Sequence, residues 1–184
     1  MEEADYLGEY EHRLQDSLVS LCTAYDMMGG VLLENDDIES KFTDTLAAPY
    51  LADAVREYHQ YPEAALAWAG YLGMAIARFW DSDWPTYQQV TYDDLKGPRG
   101  FDDLDEQIVQ RVLGHDLDGE PARRIADILS NCAVETLTMI RHEHIEPQSP
   151  RAYYVFARSV QVLYRIGASI ELFRLGYKRE RLYL

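Results

Sequence analysis

Cysteine is nearly absent: only Cys22 and Cys132 occur among 184 residues. No CxxC pair exists, which excludes a zinc ribbon and a thioredoxin-like redox motif. Each cysteine lies in an apolar helical pattern and is expected to be a small buried hydrophobe with a free thiol. Long apolar runs are also missing. The longest uncharged stretch near the middle, Ala64–Ala77, has fourteen residues, short of the ~18–20 that a spanning helix needs. The opening residues, Met1–His12, carry neither a basic start nor an apolar run, so no secretory leader is expected. A cytoplasmic protein without membrane contact follows as the expectation. Alternating strand patterns and internal repeats are lacking as well, which removes β-sandwiches, barrels and solenoids.

Basic residues are scarce. Lys and Arg number 17 against 32 Asp and Glu, for a net charge of −15. The imbalance is uneven: residues 1–120 carry −19 and residues 121–184 carry +4. A strongly acidic surface repels phosphate backbones, so nucleic acid is not an expected partner. Internal pairing between the acidic and basic parts is the cheaper account of the asymmetry. With 47% hydrophobic and 27% charged residues the chain has globular composition, and its length suits one domain with a core of its own.

What is present is helical periodicity. A first helix is expected from Ala4 to Met28, with Leu7, Leu14, Leu18, Leu21, Tyr25 and Met28 on one face. Asp36 and Asp37 offer a cap for a short helix with Ile38, Phe42 and Leu46 inward. Pro49 marks a kink or restart before a segment bearing Leu51, Val55 and Tyr58. Pro62 opens the most apolar helix, expected to end near Trp80. Its small residues Ala65, Ala69, Gly73 and Ala77 recur at i+4, so another helix can approach closely; Trp68, Leu72 and Ile76 form a bulky ridge beside them. Residues 81–102 read as an irregular loop with room for a helical turn inside it. Asp102 then looks like an N-cap for a helix from Asp103 to Leu113, stopped by Gly114. Pro121 starts a helix reaching His144, with Ile125, Ile128, Cys132 and Met139 inward. Ser149-Pro150 begins a long final helix to Leu175. The expected architecture is an all-α, irregular bundle of six to seven helices, one domain over residues 1–184.

Six groups of residues invite a chemical reading. Trp80, Asp81, Asp83, Trp84 and Tyr87 combine carboxylates with flat rings, which suits a cation or a sugar; capping and core packing compete with that role. Arg99, between Gly97 and Gly100, suits an anion, against a local pair with a nearby Asp; the loop lacks P-loop spacing and no strand precedes it. Arg141-His142-Glu143-His144-Ile145-Glu146 looks like a metal cluster, yet His142 and His144 point apart on a helix, and Glu146 precedes Pro147. Glu9-x-x-His12 has the ExxH spacing of di-iron bundles, but no second ExxH occurs. Asp116-x-Asp118-Gly119 fails the calcium-loop spacing. No metal or other cofactor is therefore expected. Arg151, Arg158 and Arg165, at heptad spacing on the last helix, form a charge seam expected to pair inside the chain, with an anion or partner groove as the alternative. No GxSxG or other nucleophile signature appears.

Four strings are distinctive: Arg78-Phe79-Trp80-Asp81-Ser82-Asp83-Trp84, Arg99-Gly100-Phe101-Asp102-Asp103-Leu104-Asp105-Glu106, Ile145-Glu146-Pro147-Gln148-Ser149-Pro150 and Arg165-Ile166-Gly167-Ala168-Ser169-Ile170-Glu171-Leu172. Over residues 68–177 they resemble a family of bacterial all-helical proteins, a domain of unknown function. The resemblance implies a bacterial, cytoplasmic, helical domain and no activity, cofactor or catalytic residue.

The expected role is a non-enzymatic interaction or regulatory module with a protein partner. Fourteen tyrosines and three tryptophans are available for an exposed patch, placed around Trp80–Tyr87 and Arg99. A homodimer through the small-residue face is one form of it. The alternative is a metal- or small-ligand-dependent enzyme drawing on Glu9, His12, Asp81, Asp83 and His142.

Overall fold

The computed structural model describes residues 2–178 and is all-α. Helix α1 covers Glu3–Ala24 and α2 covers Asp36–Lys41. A π-turn at Phe42–Leu46 joins α2 to α3, Ala47–Tyr58, without a break. Then follow α4 (Pro62–Tyr87), α5 (Tyr92–Leu95) and a 3₁₀ turn at Phe101–Asp103. Helix α6 (Leu104–Gln107) passes into a second π-turn at Ile108–Val112. The long helices α7 (Glu120–His142) and α8 (Pro150–Arg174) complete the fold.

Helix α4 is the centre. Its residues from Ala69 to Ala77 are buried on every side, as expected of a helical stretch that is apolar all round. Its small-residue face receives α8 of the same chain. A Cβ on Gly73 would stand 1.9 Å from the Tyr164 carbonyl oxygen, and one on Gly167 would stand 1.8 Å from that of Gly70. The two helices touch backbone to backbone, which only glycine permits. The face expected for a second copy is therefore occupied from within, with Ala65, Ala69 and Ala77 fully buried.

Side-chain pairs fix the directions. Glu3 meets Arg151 and Tyr10 meets Ser159, so α1 and α8 run the same way. Gly70 meets Gly167 and Arg78 meets Glu171, so α4 runs with them. Helix α7 opposes α1, through Ser17–Glu135 and Cys22–Cys132. The segment α2–α3 also opposes α4, closed by Tyr50, whose hydroxyl donates to the Ala65 carbonyl at 2.7 Å.

Several local expectations are corrected. Helix α1 ends at Ala24; Tyr10 takes a core position beside Cys22, which is buried as expected, while Tyr25 is 52% exposed. Asn35, not Asp36 or Asp37, caps α2 by accepting from the Ile38 N–H. Pro49 causes no break, because the π-turn just before it widens the helix where the proline lacks its donor. On α3 the buried residues are Tyr50 and Ala54, and Val55 is exposed. Asp102 caps nothing: it lies in the 3₁₀ turn, and its neighbour Asp103 binds Arg99 instead. The loop expected from residue 81 is partly helical. Helix α4 continues to Tyr87, kinked at Asp83, whose φ of −167° and ψ of 78° leave the helical region two residues before Pro85. Proline cannot continue the preceding hydrogen-bond ladder, so the chain restarts there. Ile38, Phe42 and Leu46 are buried as expected, and Ser149 accepts from the Ala152 N–H at the head of α8.

Candidate functional site

The aromatic and acidic residues around 80–87 are engaged within the fold. Trp80 is 1% exposed and packs 5.8 Å from the Tyr177 ring. It cannot contribute to a surface patch, which corrects that expectation. Its indole N–H has no hydrogen-bond partner among the described residues. Asp81 accepts from the Tyr177 hydroxyl at 2.7 Å, and Asp83 from Thr86 at 2.6 Å. Trp84 is half-buried against the core, and Tyr87 stacks on Phe79 with ring centroids 4.6 Å apart. Arg99 stands apart from them. Its Nε and backbone N–H both donate to Asp103, at 2.8 and 3.0 Å. The adjoining Phe101 carbonyl accepts from the Trp68 indole. Trp68 and Trp80 are twelve residues apart on α4, about 18 Å along its axis, so Arg99 and the Trp80–Tyr87 group do not form one patch.

The arginine seam on α8 meets carboxylates from the acidic part of the chain. Arg151 pairs with Glu3 at 2.6 Å and Arg158 with Glu11 at 3.5 Å. Arg165 bridges Glu11 at 3.1 Å and Glu39 at 2.8 Å, and Gln161 also donates to Glu39. Burial opposes the Arg165 charge, but Glu39 and Glu11 outweigh it and hold its guanidinium more firmly protonated than usual. Arg165 also borders a cavity of about 190 Å³ between α2 and α8, lined by Glu34 and Glu39.

The residues of the metal-enzyme alternative are spread out. Glu9 and His12 lie on an exposed face of α1, where His12 pairs with Asp16. Asp81 and Asp83 lie at the far end of α4, level with Tyr177 rather than with the start of α8. His142 is exposed at the end of α7, and the neighbouring Glu143 is bound by Tyr6 and Arg13. Among the described residues no three His, Cys, Asp or Glu side chains converge as metal ligands would.

A buried charge cluster escaped the sequence signals. Glu171, 2% exposed, meets Arg174 at 3.0 Å and Arg78 at 3.8 Å. Arg174 in turn reaches His115 Nε2 at 2.7 Å. Burial pushes the Glu171 carboxyl up, and Arg174 and Arg78 pull it partly back. Burial and the same two arginines push His115 down, so its ring is the neutral acceptor. The cluster ties the 113–119 turn to the end of α8.

The open site lies between the start of α4 and the outer face of α7. It is a groove of about 570 Å³ whose walls include Tyr61, Pro62, Trp68, Tyr71, Asp105 and Leu137. Proline at the head of α4 turns the chain so that Tyr61, just before it, is 60% exposed. Trp68 and Tyr71, at i, i+3 on α4, meet edge to face at 5.6 Å. The Trp68 indole is held by the Phe101 carbonyl at 2.8 Å, and the same segment carries Asp105 into the groove wall. Burial raises the Asp105 carboxyl to about 6, with backbone hydrogen bonds resisting and Glu106 adding to the rise. Glu63, at the groove edge, accepts from Ser130. The groove thus combines the exposed Tyr61 ring and the half-buried Trp68 ring with two carboxylates, over a floor that includes the buried Tyr71, and among the described residues no Lys, Arg or His lines it. Aromatic faces and carboxylates favour the same ligand class, a cation on an apolar stem.

No protein-family model matches the chain, and no curated protein or solved structure matches it either. No helix among the described residues is long and apolar enough to cross a membrane.

Proposed function

We propose that this protein is a cytoplasmic, non-enzymatic interaction module that binds a Lys- or Arg-bearing segment of a partner protein in the α4–α7 groove. The observation that carries this reading is the lining of that groove: Tyr61 and Trp68 over Tyr71, beside Asp105 and Glu63, with no basic side chain among the described residues. A guanidinium or ammonium placed there meets ring faces and two carboxylates, and its methylene stem covers apolar wall. The chain's charge of −15 adds long-range attraction for a basic partner. Exposed tyrosine at a groove mouth supplies rigid contact area at little entropic cost. Because Asp105 ionises near pH 6, binding strengthens as pH rises through that value.

The test is a titration of ¹⁵N-labelled protein with a short Arg/Lys-rich peptide, with a Glu-rich peptide of equal length beside it. Saturable shifts at the Trp68 indole and the Tyr61 and Asp105 amides, lost in the Tyr61→Ala/Asp105→Asn double variant, support the proposal. Shifts spread over the acidic surface and unaffected by the double variant refute the groove as the site.

A further inference from the structure

Two cysteines in 184 residues meet each other. Cys22 in the last full turn of α1 and Cys132 in the middle of α7 place their sulfurs 3.6 Å apart. Both are fully buried free thiols. We propose that they form a redox-modification site, a latent disulfide that oxidation by a peroxide closes between α1 and α7.

The helices are already held in register around the pair. Ser17 donates to Glu135 on one side, and Arg124 meets the Met27 sulfur on the other. Closing from 3.6 Å to a bonding distance of about 2.05 Å asks each sulfur to move under ~1 Å. Side-chain rotation supplies that without separating the helices. Because no other cysteine exists, the intramolecular partner is unambiguous.

The chemistry balances with peroxide as the two-electron oxidant. One thiolate attacks the O–O bond, becomes a sulfenic acid and releases hydroxide. The second thiolate displaces hydroxide from that sulfur and forms the S–S bond. The two protons given up by the thiols turn both hydroxides into water. The thiols lose two electrons and the peroxide gains them.

Access sets the rate. The contact with Cys22 and burial push the Cys132 thiol up, so the closed state resists oxidation. Cys22, however, lies near the end of its helix, followed by Tyr25, which is half-exposed, and Asp26, at a positive φ of 59°. Fraying of that last turn exposes one sulfur without global unfolding. The site therefore oxidises slowly and, once closed, stays closed until a reductant reaches it. The bond would close a loop spanning 110 positions. A loop of that length restricts the unfolded chain enough to raise the melting midpoint of a chain this size by roughly 10 °C.

The experiment exposes the reduced full chain to hydrogen peroxide and follows intact mass, a non-reducing gel and thermal melting. The expected result is a monomer lighter by two hydrogen atoms, both thiols lost together, a midpoint higher by roughly 10 °C, and full reversal by dithiothreitol. Cys132→Ser and, separately, Cys22→Ala abolish the mass loss; peptide mapping of the wild type reads the cross-link directly should either variant fold poorly. Oxygen adducts on a single cysteine, disulfide-linked dimers, or two untouched thiols after prolonged exposure would each overturn the proposal.

Discussion

Replacing Gly167 by Ala tests the contact on which the fold depends most. The new Cβ would stand 1.8 Å from the Gly70 carbonyl oxygen, 2.6 Å from its carbon and 2.7 Å from its Cα. These are backbone atoms inside a helix and cannot rotate away. An ordinary contact begins near 3.4 Å, so α8 must retreat from α4 by about 1.5 Å. A gap of 0.5–1 Å already forfeits about a quarter to a half of each dispersion contact. The buried surfaces of Leu72, Ile76, Tyr164 and Ala168 all depend on this approach. Overpacking of this kind costs about 3 kcal/mol or more, and the better helix propensity of Ala returns about 1. A net loss of about 2–3 kcal/mol is expected, a midpoint lower by roughly 4–12 °C. Gly8→Ala is the matched control, since no heavy atom lies within 4 Å of its added Cβ. There the propensity gain stands alone, about 0.5–1 kcal/mol of stabilisation. Urea and thermal melts followed by circular dichroism measure both. A Gly167→Ala protein as stable as the wild type would refute the backbone contact, because identical chemistry at the two sites must then give no opposition of sign.

Two further substitutions address electrostatics. Asp105 carries a folded-state carboxyl raised to about 6 from 3.8, so its stability contribution is fully present below pH 3.8 and is lost as pH rises from there through about 6, by about 2 kcal/mol once its partial solvent exposure is discounted. Asp105→Asn is therefore expected to match the wild type at pH 3 and to be about 2 kcal/mol more stable at pH 7.5; a difference independent of pH in urea titrations contradicts the burial argument. In the arginine seam, Arg165 is 21% exposed and serves two carboxylates, whereas Arg151 and Glu3 are 46% and 41% exposed. Arg165→Ala should lose about 2–3 kcal/mol while Arg151→Ala leaves the melting midpoint unchanged; equal effects of the two would show that burial does not grade the seam.

Much of the helical content is legible along the chain because its signals are local. Proline and serine at the head of α8, the apolar periodicity of α7, and the inward trio Ile38, Phe42 and Leu46 each need only a few neighbours to be read. Local competition is where legibility fails. Asn35 outcompetes two adjacent aspartates as a cap, and Tyr25 falls outside the core because α1 ends at Ala24. The π-turns leave no sequence mark at all, since they depend on how Phe42 and Ile108 seat in the core. The candidate groove was similarly hidden. Trp68 and Tyr71 share a helix face by spacing, but Asp105 reaches them only because the Phe101 carbonyl binds the Trp68 indole and docks a distant segment. The 80–87 group drew attention by composition, and tertiary packing buried Trp80 under Tyr177.

Composition and periodicity alone decided that this chain is helical, acidic and built around the apolar segment after Pro62, because turn preference, charge and amphipathic spacing are properties of residues close in sequence. Tertiary structure decided which surface each element would meet. Gly73 and Gly167 acquire their necessity only from each other's backbones. Arg165 gains Glu11 and Glu39 from positions more than a hundred residues away, and Cys22 meets Cys132 across 110. Such encounters depend on how five helical segments pack at once, and no local stretch contains that information.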